Sequence, residues 1–123
     1  MELIRAIRES EVGTVIAVRS SDRGSRIDIP KWVEKAGRRC LLHRFDVREK
    51  RECLELVRAT RQELGRVDIL VNNAAYQMSR KSIEEYSEEQ VERTFRTNIF
   101  GYFYMARAAL PHLKKGSCII NTG

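Results

Sequence analysis

The stretch GRVDILVNNAAYQ, Gly65 to Gln77, decides the fold. Val67 to Val71 is a short apolar run after a glycine and reads as a buried strand. It opens at once into two asparagines and two alanines. A backbone leaving a sheet needs new partners for its amides and carbonyls. Asparagine both donates and accepts, so it can tie neighbouring strand ends together. Ala74 and Ala75 keep the following loop thin enough for a flat ring to lie against the backbone. Spacing alone leaves an ordinary polar turn as an equal alternative.

Working outward, three further strands are expected. TVIAV, Thr14 to Val18, is apolar and β-branched; RCLLHRF, Arg39 to Phe45, and SCIIN, Ser117 to Asn121, complete the set. Helices are expected between them. A short one starts near Asp28 and Pro30 and stops at Gly37, and another runs from about Glu49 to Leu64 with Gly65 as its stop. Glu2 to Arg8 is a further short candidate. SEEQ, Ser87 to Gln90, has capping-box spacing and opens a long helix toward Leu113, which Pro111 should bend or end. Strand and helix alternate, with crossovers long enough to join parallel strands. The pattern predicts an α/β fold with a doubly wound parallel sheet. In such sheets ligands sit beyond the carboxyl ends of the strands, where Arg19, Asp46, Asn72, Asn73 and Asn121 fall.

Composition narrows the function. The chain has 123 residues, 42% hydrophobic and 33% charged, which suits one globular domain. No apolar run approaches the roughly 20 residues that span a bilayer, and MELIRAIRES does not read as a secretory signal. Cys40, Cys53 and Cys118 are odd in number and widely spaced, which suits reduced thiols in a cytoplasmic protein rather than a disulfide framework or a zinc site. The net charge of +6 is spread over helix faces interleaved with acids, as in DVREKRECLELVRATRQELG, and does not form a stripe for nucleic acid. His43 and His112 sit in no nucleophile motif. A receiver-type binding module would need an acidic cluster at the strand ends, and Asp46 stands there alone.

Together these motifs resemble the short-chain dehydrogenase/reductase family. DILVNNAA is similar to its strand-plus-NNAG element, with Ala75 where glycine is commoner. Asp46–Val47 is similar to its acidic turn, and FRTNIFGYFYMARAALPHLKKGSCIINTG to its fifth helix and fifth strand. The resemblance implies a Rossmann-type sheet over residues 1–123 and NAD(P) as cofactor. It places Asn73, Ala74 and Ala75 along the adenosine, Asp46 at the adenine amine and Val47 on the ring. Arg19, with Arg23, leans the choice toward NADP, since a basic residue there favours the 2′-phosphate. Asn98 falls on the asparagine that the family uses catalytically, to hold a proton-relay water. The implied substrate is a small alcohol or carbonyl, nearest to sugars or polyols. The long helix, 88–113, is implied as a homo-oligomer contact through Tyr102, Phe103 and Tyr104, which core packing explains equally well.

The family's glycine-rich phosphate turn has no counterpart here, and none of Tyr76, Tyr86, Tyr102 and Tyr104 has a lysine four positions on. The expectation is therefore a partial Rossmann domain, inactive alone, from a parent oxidoreductase. The alternative is a non-enzymatic dinucleotide-binding remnant. Without the family's first strand, the Thr14–Val18 strand should face the Val67–Val71 strand across a gap one strand wide, which either closes with repacked helices or leaves unpaired amides, in a marginal fold.

Overall fold

The computed structural model describes residues 16–18 and 25–123. Three parallel strands, β1 (Ile16–Val18), β2 (Ile69–Asn72) and β3 (Cys118–Asn121), lie in the order β1-β2-β3. Helices α1 (Ser25–Lys35) and α2 (Lys50–Leu64) connect β1 to β2. Between β2 and β3 come α3 (Glu88–Phe95), a π-helical segment (Arg96–Phe100) and α4 (Gly101–Ala109). The alternation read from the sequence is thus present as parallel ladders with helical crossovers. Arg19 and Arg23, and the candidate helix from Glu2 to Arg8, lie outside the described residues.

Local chemistry explains the helix ends. Gly37 takes φ 67°, its N–H bonds Glu34 O, and the Arg38 N–H reaches Val33 O. That pair of bonds is a Schellman motif, which needs the left-handed backbone glycine adopts freely. Gly65 ends α2 in the same region of backbone space, with its N–H on Arg61 O. Ser87 and Gln90 form the expected reciprocal capping box at the start of α3. The helix proper stops at Ala109, and Pro111 falls in a closing 3-10 turn (Leu110–His112). Helix α1 begins at Ser25, ahead of the expected Asp28, and carries Pro30 inside it.

Helices α2 and α4 cover the sheet face that bears Leu70 and its ladder partner Ile119. Cys53 and Val57 from α2 meet Met105, Ala108 and Ala109 from α4 over Leu70, with Val47 closing one end. Leu70, Met105 and Cys53 are essentially inaccessible to solvent. Val71 points to the opposite face by strand alternation and is also buried.

One expectation fails. Arg39–Phe45 forms no strand and has no ladder partner among the described residues, and Leu42 is 56% exposed. Extended backbone becomes a strand only by pairing, and Phe45 alone of this run packs against the core. Beside β2 the gap is closed, the first of the two outcomes expected there. Ile16, Ala17 and Val18 pair directly with Ile69, Leu70 and Val71. An open slot would strand the backbone groups of both strands, so the nearer parallel strand fills it.

Candidate strand-end site

The carboxyl ends of β2 and β3 are fastened by side chains. Asn72 is fully buried, and its Nδ2 donates to Asn121 Oδ1 at 2.9 Å across the ladder. Its Oδ1 is a buried acceptor without a donor among the described residues. The Thr122 N–H donates to Asn72 O at 3.0 Å. The Thr122 hydroxyl spans Asn72 O at 3.3 Å and Asn73 Oδ1 at 3.0 Å. Tyr102 from α4 donates its hydroxyl to Thr122 O at 2.8 Å. The shelf therefore sits on a rigid base. Ala74 is buried beneath it, while Asn73 and Ala75 are exposed on top.

Asn98 sits within the π-helical segment, where Gly101 N–H bonds Arg96 O. Such segments turn side chains out of ordinary helical register and recur at functional sites. The Asn98 Oδ1 accepts from the Tyr76 N–H at 2.8 Å, and its Nδ2 donates to Tyr76 O at 3.0 Å. One amide thus pairs with one peptide as a neighbouring strand would, and pins the loop leaving the shelf. Arg93 covers the Tyr76 ring, 4.3 Å from its centroid.

Asp46 and Val47 reach the same rim from the other side. Val47 is seated against Gly101, where an added Cβ would lie 2.3 Å from Val47 Cγ2. Glycine is required there because the turn and the helix backbone touch. The Asp46 carboxylate is held by Arg48, whose Nε lies 3.0 Å from each oxygen. That guanidinium keeps the carboxyl below its ordinary 3.8, against an opposing push from partial burial, with Arg93 adding a smaller pull. The Arg48 guanidinium is in turn pushed above its ordinary value by Asp46.

Asn73, Ala74 and Ala75 thus share a rim with Asn98, through Tyr76, and with Asp46 and Val47, through Gly101 and Arg93. Arg48, Arg93, Tyr102 and Thr122 also belong to it, and the sequence reading did not single them out for this role. Thr122 follows Asn121 directly at a strand end, which was the available signal. The Arg93–Tyr76 contact joins residues from separate elements and leaves no local pattern. Among the described residues no group of His, Cys, Asp and Glu is placed to hold a metal ion.

A parallel α/β sheet with an amide-lined rim at its strand ends is the architecture of a nucleotide-binding domain. The family model described as short chain dehydrogenase matches residues 2–123, and the chain belongs to that family. It is 45% identical over 112 residues to the uncharacterized oxidoreductase YhxC of Bacillus subtilis, covering 91% of this chain and 39% of that protein. Over 70 residues it is 51% identical to the glucose and ribitol dehydrogenase of Daucus carota, covering 57% of this chain and 24% of the relative. A solved structure of a blue fluorescent protein from a metagenomic library, in complex with NADPH, superposes with a TM-score of 0.73 at 27% identity, over 89% of this chain and 43% of that one. The chain therefore spans less than half the length of these relatives.

Proposed function

We propose that the rim binds the adenosine half of a nicotinamide dinucleotide, in an oxidoreductase that interconverts an alcohol and a carbonyl. The observation that carries this is the convergence of the Asn73–Ala75 shelf, the Asp46–Val47 turn and the Asn98 clamp on one edge. Asn73 and Ala74 line the adenosine, Val47 packs on the adenine and Asp46 accepts from its amine. The dinucleotide supplies or takes up the hydride; the chain's residues bind and orient it. Asn98 clamps the shelf through Tyr76, and its second amide hydrogen and remaining lone pair stay available for the proton-relay water that the family assigns to this position.

The finer assignments rest on chemistry and on relatives. Arg19 and Arg23 favour the 2′-phosphate of NADP, and the carrot relative's name points to sugars or polyols. Among the described residues no helix is long and apolar enough to cross a membrane. We assign the protein to the cytoplasm on its three widely spaced cysteines, Cys40, Cys53 and Cys118, an odd set that suits a reducing compartment. A second copy is the expected cover for the exposed stripe Val91, Phe95, Ile99, Phe103 and Leu110, which runs from α3 through the π-helical segment and α4 to the closing turn. Glu88, Glu89 and Glu92, with Arg93 and Arg96, precede its centre, whereas Arg107, Lys114 and Lys115 follow it with no acid after Glu92. An antiparallel pair of such helices sets acid against base at both ends.

Calorimetry with ADP-ribose, NAD and NADP tests the reading. Binding should fall at least about tenfold in Ala75→Leu, whose side chain fills an exposed part of the shelf. Unchanged affinity in that variant would end the shelf assignment. Tighter binding of NADP than NAD, lost in Arg19→Ala, is expected; equal affinities would remove Arg19.

A further inference from the structure

We propose that Arg48 sets base specificity by competing with the adenine amino group for the Asp46 carboxylate. The inference rests on the adenosine reading above. Every polar group of Asp46 is already engaged within the chain. Its Oδ1 accepts from the Arg48 N–H at 2.9 Å and from Arg48 Nε at 3.0 Å. Its Oδ2 accepts from Nε at 3.0 Å and from Nη2. A carboxylate offers about four acceptor directions, and three Arg48 N–H groups occupy both oxygens, with the Nε–H shared between them. The Asp46 N–H is spent on Glu52 Oε2, and its carbonyl accepts from the Glu49 N–H. An amine arriving at this turn competes with the guanidinium for the carboxylate oxygens.

The guanidinium is able to move. The Arg48 and Asp46 side chains are 39% and 35% exposed, and a pair so open to water holds only weakly. The turn itself remains in place, because Val47 is locked against Gly101. Arg48 also alters what the site accepts. Its donors can meet a carbonyl on the purine edge, whereas the Asp46 carboxylate only accepts, from an amine or a ring N–H. With Arg48 present, a purine carbonyl finds a donor; without it, that carbonyl faces a carboxylate.

The test is calorimetry of this chain with AMP and with IMP, which replaces the amine by a carbonyl. In Arg48→Ala, AMP should bind about three- to fivefold more tightly, with IMP unchanged or weaker, so that the AMP/IMP ratio widens. Arg48→Lys, which lacks the planar fork, should fall between. In an Asp46→Asn background Arg48→Ala should leave AMP affinity unchanged. Weaker AMP binding in Arg48→Ala, or an unchanged ratio, overturns the competition and leaves the adenosine reading intact. No binding of AMP by the unsubstituted chain or the variant overturns the adenosine reading, and this inference with it.

Discussion

The two sides of β2 are held by different means. Toward β3, a four-residue ladder is reinforced by the Asn72–Asn121 amide bond, the Thr122 hydroxyl and the Tyr102 hydroxyl. Toward β1, the ladder has three residues, and the Arg39–Phe45 run after α1 pairs with no strand among the described residues. The first side carries the candidate site. Residues far apart in the chain are locked there by bonds with one good geometry, as a preorganised binding edge requires. The second side supplies a covering strand that three backbone pairs keep in register.

Core truncations should expose this asymmetry most strongly. Leu70→Ala removes a fully buried side chain from beneath both helices and should cost about 2–5 kcal/mol in urea denaturation. Leu42→Ala, on the unpaired run, should cost under about 0.5 kcal/mol. Comparable losses would mean that Arg39–Phe45 is packed in solution, and the comparison would collapse. Gly101→Ala comes next, at about 1–3 kcal/mol, because its Cβ meets Val47 Cγ2. Adding Val47→Ala should recover part of that loss. Failure to recover would place the strain elsewhere and uncouple the Asp46 turn from α4.

Much of this architecture was legible because its signals are local. A glycine after an amphipathic run marks the end of α2, Ser87 and Gln90 announce the start of α3, and apolar runs mark the strands. Strand pairing is not local. RCLLHRF has the composition of a strand, yet composition cannot say whether an edge is open to receive it. The same limit explains β1, whose partner depends on which slot beside β2 is free. In the site, Asn73, Ala74 and Asp46 stood out as small or polar residues after apolar runs. Arg48 did not, since an arginine two residues beyond an aspartate looks like an ordinary surface charge. The aromatic run on α4 also divides only in three dimensions. Tyr102 serves the rim, Phe103 faces outward and Tyr104 packs on the core.

The smallest expected effect lies at the Asp46 turn, and its sign follows from the carboxyl's direction of shift. Arg48 holds that carboxyl below the ordinary 3.8. A depressed value in the folded chain means the ionised form is favoured by folding. The contribution is therefore complete above the unfolded value and is lost as pH falls through the folded one. Because both groups are partly exposed, the contribution should stay below about 1 kcal/mol and shrink in salt. Urea denaturation of the unsubstituted chain and of Arg48→Ala should show a constant stability gap from neutrality down to about pH 5, narrowing below about pH 4. A gap that persists unchanged in acid would show that Arg48 stabilises the turn through its packing stem rather than its charge. The turn would then remain closed to an incoming amine even when Asp46 is neutral, which separates steric from electrostatic guarding of this edge.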